Sequence, residues 1–129
     1  MESKNSSLES YYHTARSVFE EERYKDAADA FLLLTFLNPS SHSFWMGLAS
    51  SEQMASRAND ALKAYAMAAL LDVTDPYPHF YSAQCYADLA DRENMLDSLA
   101  LSIEIAKEQD EHAVLKQEAE EIIKRVQNG

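Results

Sequence analysis

Four histidines, one cysteine and several carboxylate runs are the residues of this sequence whose types could do chemistry. His13, His42, His79 and His112 are scattered without a short ligand spacing, and none has a cysteine partner, so a zinc-type site is not expected. Cys85, in Ala83-Gln84-Cys85-Tyr86-Ala87, has no base beside it to hold a thiolate, and its apolar setting describes an inert buried thiol. Glu20-Glu21-Glu22 and Glu120-Glu121 would work as acid and base only if shielded from water, whereas contiguous carboxylates of this kind make a solvated helix face. Gly47 is the only internal glycine, so there is no glycine-rich phosphate loop; inside a helix it permits close packing. No set of acid, base and nucleophile emerges and no cofactor is implied, which points to a binding protein and away from an enzyme.

The elements that carry these residues are helical. Apolar residues make up 47% of the 129, with only two glycines and three prolines, leaving little material for hairpin turns. A chain of this length buries roughly two thirds of its unfolded surface, enough for one core. The formal charge of -11 repels phosphate backbones and anionic lipid, which speaks against nucleic acid and membrane partners. A single cysteine allows no internal disulfide and suits a reducing compartment. Met1 to Ser7 lacks the basic start and apolar run of a signal peptide, no apolar stretch is long enough to span a bilayer, and the expected location is the cytosol.

A period of 34 residues aligns the chain with itself. Ala15, Ala49 and Ala83 share one column; Ala27, Ala61 and Met95 the next; then Phe31, Tyr65 and Leu99; then Leu37, Leu71 and Ile105. Small residues let two antiparallel helices approach, and a bulky one fills the gap beside them. Each unit is therefore a helix-turn-helix, its second helix starting near Tyr24-Lys25-Asp26, Arg57-Ala58-Asn59-Asp60 or Asp91-Arg92-Glu93-Asn94, where Asp or Asn can cap it. Pro39, after Leu37-Asn38, stops the first unit, and Pro76 closes the second. Early aromatics Tyr11 and Trp45 complete a tetratricopeptide-type pattern. In the third unit Met95 and Ser102 depart from the small and apolar residues of their columns. Ser56-Arg57 and Ala90-Asp91 stand where that pattern has a glycine between the two helices, which predicts tighter helical connections.

The fold class predicted is all-α, a tetratricopeptide-repeat superhelix of three hairpins plus a C-terminal capping helix. Residues 1–7 are expected to be disordered, 8–106 to hold the repeats at about 8–41, 42–75 and 76–106, and 107–127 to form the cap. Val114, Leu115, Ala119, Ile122, Ile123 and Val126 recur there at helical spacing, as in a helix that closes the apolar end of an array. The first hairpin is left without a cap, so burial of that end in a homodimer is an alternative.

In such arrays the first helix of each hairpin lines the inner wall. By register these positions are Glu9, Tyr12, Arg16 and Phe19; Ser43, Met46, Ser50 and Gln53; and Tyr77, Phe80, Gln84 and Ala87. The candidate peptide-binding groove is thus Tyr12, Arg16, Phe19, Met46, Ser50, Gln53, Tyr77, Phe80, Gln84 and Ala87. Aromatic and thioether groups among uncharged polar ones suit an extended peptide, with Tyr12, Phe19, Met46 and Phe80 as anchors, although Phe19 and Phe80 equally suit packing between hairpins. With one arginine, the lining lacks the clamp of Lys, Asn and Arg with which some arrays grip the acidic tail of heat-shock chaperones.

Phe44-Trp45-Met46-Gly47-Leu48-Ala49 and the stretch from Ala68-Ala69-Leu70-Leu71-Asp72-Val73-Thr74-Asp75-Pro76-Tyr77-Pro78-His79-Phe80 to Tyr86 resemble the class II tetratricopeptide chaperones of bacterial type III secretion. The likeness covers about Tyr11 to Ala106. It implies a bacterial cytosolic chaperone that holds a secreted, pore-forming translocator before export, with an extended segment of that client along Tyr12, Phe19, Met46, Tyr77, Phe80 and Gln84. Members of that family carry a longer N-terminal region, with a helix that contributes to dimers. The alternatives are a co-chaperone or structural component holding a needle-type subunit, and a general tetratricopeptide scaffold.

Overall fold

Alanine columns and few breakers give helices joined by short turns, and a computed structural model describes residues 3–129, with side chains from residue 7. Seven helices follow in order: α1 Ser3–Glu20, α2 Tyr24–Leu37, α3 His42–Met54, α4 Ala58–Leu71, α5 Tyr77–Asp88, α6 Arg92–Ala106 and α7 Ala113–Asn128, with a 3-10 turn at Asp110–His112 before α7. No strand occurs among the described residues. The chain divides into two units, one ending at Leu71 and one beginning at Asp72. The first holds two hairpins, α1–α2 and α3–α4; the second holds the hairpin α5–α6 and the helix α7.

In the first unit each helix packs on the next in sequence. Ala15, Ala27, Ala49 and Ala61 are completely buried, and the large members of the neighbouring column, Phe31 and Tyr65, are 2% and 1% exposed. Small residues at the crossings bring the backbones together, and burying each ring contributes on the order of 2 kcal/mol. In the second unit the same columns give buried Ala83 and Leu99, with Met95 partly buried against them. Ser102 is buried where Leu34 and Ala68 stand, and its hydroxyl donates to the carbonyl of Leu99 at 2.7 Å, so this buried hydroxyl is satisfied. The last column is different: Leu37 and Leu71 are 51% and 39% exposed at their helix ends.

The connections within the hairpins are not tighter helical turns. Glu22, Ser56 and Ala90, spaced by the repeat, have φ of 63°, 63° and 57°, the left-handed conformation that favours glycine. The amide of Ser56 donates to Gln53 O at 3.0 Å and that of Arg57 to Glu52 O at 2.9 Å, and the same pair of bonds recurs at Glu22 and Arg23 and at Ala90 and Asp91. This 6→1 and 5→2 pairing is a Schellman ending, which satisfies carbonyls the helix leaves free. Glycine is dispensable because these hydrogen bonds hold the strained residue in place. The second helices also differ in their caps. Asp91 accepts from the amide of Asn94 at 3.1 Å, while α2 starts after Arg23 without a side-chain cap.

Two boundaries are corrected. The helix α1 begins at Ser3, so residues 3–7 are helical and not disordered; residues 1 and 2 lie outside the described residues. No glycine or proline interrupts this stretch, and the helix propagates through its polar residues from the packed part of α1. The capping helix begins at Ala113 and not at Lys107, because Gln109 is extended (φ -124°, ψ 102°) and a 3-10 turn intervenes. Gln109 ties this break down by donating to Ile105 O at 2.8 Å and to Thr74 O at 2.9 Å. Leu115 and Ala119 of α7 are buried with Phe80, Ala83, Leu99 and Ala106, and Ile122 and Ile123 pack beside them.

Candidate functional site

In the first unit α1 and α3 lie on either side of a cavity of about 470 Å³. The wall from α1 supplies Tyr12, Arg16, Phe19 and Glu20, and the wall from α3 supplies His42, Ser43, Met46, Gly47 and Ser50. Phe31, from α2, forms part of the lining. Helical spacing explains the α1 wall, since residues 12, 16, 19 and 20 share one face.

An aromatic group organises the deep end. The Tyr12 ring lies 6.0 Å from Phe31 edge to face and 5.5 Å from Phe44, and the Arg16 guanidinium carbon is 5.8 Å from the Tyr12 centroid, a cation-π contact. Phe19 meets Tyr24 edge to face at 5.1 Å and is only half-buried, so it both packs and lines the cavity. Gly47 makes room for the ring of Phe31: a Cβ built on it would come within 2.6 Å of Phe31 Cζ, and closer to two more ring carbons. His42 is held at the start of α3, with Nδ1 2.9 Å from the carbonyl oxygen of Ala68.

Of the residues expected by register, Tyr12, Arg16, Phe19, Ser43, Met46 and Ser50 therefore meet around one cavity. Gln53 is not in its lining; Gln53 Oε1 accepts from the Tyr65 hydroxyl at 2.6 Å, and Ser50 Oγ lies 3.4 Å from the same hydroxyl. Glu9 sits with Ser10 and His13 in another surface depression of α1, outside the cavity. In the second unit Gln84 and Ala87 are exposed on α5, and Tyr77 is half-buried, with its ring 5.7 Å from Tyr81 and from His112. Phe80 is corrected from anchor to core residue: it is 7% exposed and packs in the cluster with Leu99 and Leu115, leaving no ring face for a ligand. Glu20, Phe31, His42 and Gly47 were missed. Gly47 and Phe31 each left a signal, one as the lone internal glycine and the other as the bulky member of its column.

The groups with a chemical temperament lie elsewhere. Burial, with the Asp88 carboxylate adding to it, pushes the Cys85 thiol up to about 11, which makes it a poor nucleophile. Burial lowers His79, partly offset by the Asp75 carboxylate. No group of three or more His, Cys, Asp or Glu capable of holding a metal ion occurs among the described residues, and no helix there is long and apolar enough to cross a membrane. What the cavity offers is apolar surface flanked by hydroxyl, imidazole and guanidinium groups, the makeup of a side-chain pocket for a bound polypeptide.

Helical hairpins at a 34-residue period with a cavity between successive first helices define a tetratricopeptide-type binding protein. No family model matches the sequence. Over 98 residues, 74% of this chain, it is 28% identical to the low calcium response locus protein H of Yersinia pestis, with the same figures for the protein of Yersinia pseudotuberculosis. The chain spans 58% of the length of these curated relatives. Among solved structures, a chain of the CopN–Scc3 complex is 30% identical, with a TM-score of 0.87 over 89% of this chain and 68% of that one. The type III secretion chaperone SycD of Yersinia enterocolitica, solved with a peptide of the translocator YopD, shares the fold at a TM-score of 0.91 and 22% identity, over 98% of this chain and 97% of that one. The chain belongs to the tetratricopeptide-repeat class II chaperones of type III secretion.

Proposed function

We propose that this protein is a peptide-binding chaperone that holds an extended segment of a secreted, translocator-type client in the bacterial cytosol before type III secretion. The observation that carries this is the cavity between α1 and α3, where Tyr12, Phe19, Phe31 and Met46 offer apolar surface beside the polar groups of Arg16, Ser43 and Ser50. An extended chain sends alternate side chains to one side, so one apolar residue enters the cavity while its neighbours' backbone meets the hydroxyls. The SycD relative, solved with a translocator peptide, supports the class of client. Gln53 in the first unit, and Tyr77, Gln84 and Ala87 in the second, are proposed as contact residues by their register alone. The chemistry is binding alone; no step of the proposed function makes or breaks a covalent bond.

The test is co-expression with fragments of candidate translocators, measuring retention by the wild type and by a Tyr12→Ala/Met46→Ala variant. Phe80 is left intact because it belongs to the core. Retention lost by the variant at unchanged helicity supports the groove. Equal retention by both refutes it and moves the client to another surface.

A further inference from the structure

The α1 wall of the cavity carries Arg16 and Glu20, whereas the α3 wall has no Asp, Glu, Lys or Arg, and its His42 imidazole is engaged with a main-chain carbonyl. Tyr12, Arg16 and Glu20 follow one another at i, i+4 and i+8, so they stand about 6 Å apart along one face of the helix. Arg16 is exposed, held over the Tyr12 ring at 5.8 Å, and makes no ion pair among the described residues. The cation-π contact keeps the guanidinium beside the ring, and with no ion pair of its own among these residues its N–H groups are available to an acceptor.

An extended polypeptide repeats its side chains on one side every 6.6 Å or so, close to the step from Tyr12 to Arg16. We propose that Arg16 is a specificity-determining residue of the groove, selecting client segments that carry an Asp or Glu two residues from the apolar side chain seated against Tyr12 and Met46. This rests on the groove being the client site. The chain's overall charge of -11 does not cancel the preference, because at physiological ionic strength charges beyond about 8 Å are largely screened while a contact pair is not. Glu20, one further turn along, opposes a second acid at the next position on the same side. One arginine reading one acid differs from a clamp that closes around a chain terminus, so the acid can lie anywhere within a client.

Affinity selection from a randomised ten-residue peptide library displayed on phage tests this, with wild type, Arg16→Gln, Arg16→Glu and the Tyr12→Ala/Met46→Ala variant as baits. Arg16 is exposed, so its variants keep the fold, checked by circular dichroism. The expected result is enrichment of Asp and Glu two places from an apolar residue among wild-type binders, about two- to fivefold over the library, as for an exposed ion pair. It vanishes with Arg16→Gln, turns to Lys and Arg with Arg16→Glu, and shrinks in high salt. The same acidic enrichment with Arg16→Gln, or none with wild type binders that Tyr12→Ala/Met46→Ala loses, overturns the role of Arg16 and leaves the groove standing. Wild-type binders equally retained by Tyr12→Ala/Met46→Ala overturn the groove itself.

Discussion

Replacing Gly47 with alanine probes both packing and the groove. Inside an exposed helix this change stabilises by about 0.5–1 kcal/mol, because glycine loses the most backbone freedom on folding. Here the new methyl would sit within 2.6 Å of Phe31 Cζ, where ordinary contact begins at 3.4 Å. The ring must retreat by close to an ångström, and Phe31, 2% exposed and packed edge to face on Tyr12, cannot do so without displacing that neighbour. Overpacking of this sort costs about 1–3 kcal/mol, so the net effect is a loss of roughly 0.5–2 kcal/mol. Urea denaturation followed by circular dichroism reads it as a lower midpoint at unchanged slope. Combining Gly47→Ala with Phe31→Leu removes the clash, and the double-mutant cycle should show a favourable coupling of about 1 kcal/mol. A Gly47→Ala protein as stable as the wild type, with no coupling to Phe31, would refute the claim that this glycine exists to admit the ring.

Three further outcomes follow from the geometry. Ser56→Gly and Ala90→Gly should each stabilise by about 0.5–1 kcal/mol in thermal or urea unfolding, since relief of a left-handed backbone outweighs the added freedom of the unfolded chain; a loss at both sites would contradict this. Cys85, buried and with its thiol pushed up to about 11, should react with iodoacetamide at pH 8 far more slowly in the native protein than in urea, its thiolate fraction being on the order of one in a thousand; equal rates would mean the site opens freely. His79 is lowered in the folded state, so the unfolded chain takes up a proton first as pH falls. Stability is complete above the ordinary histidine value near 6.5 and declines from there down to the lowered folded value, and His79→Gln should flatten that part of the profile in urea midpoints between pH 7.5 and 5.

The sequence by itself determined the helical hairpins and most of their contacts. The columns of alanine and bulky residue that repeat every 34 positions are a local statement about which face of each helix is buried, and the structure buries Ala15, Ala49, Ala83, Phe31, Tyr65 and Leu99 as that pattern requires. The same periodicity brought Tyr12, Arg16, Phe19, Met46 and Ser50 to one side. It could not say which apolar side chains on that side are covered by a neighbour. Tyr12 and Phe80 hold the same register position two repeats apart, yet packing against Leu99 and Leu115 buries Phe80 while Tyr12 stays half-buried at the cavity. Nor could spacing show that Ser56 and Ala90 adopt a glycine conformation, because the hydrogen bonds that hold them there come from the preceding helix and the strain is visible only in the backbone angles. The break before α7 is of the same kind, since Gln109 leaves the helical path to bond Thr74 from a distant part of the sequence. Periodicity fixes the direction of a side chain from its own helix; burial, strain and ligand access depend on what the other helices place opposite it, and that only the tertiary structure decided.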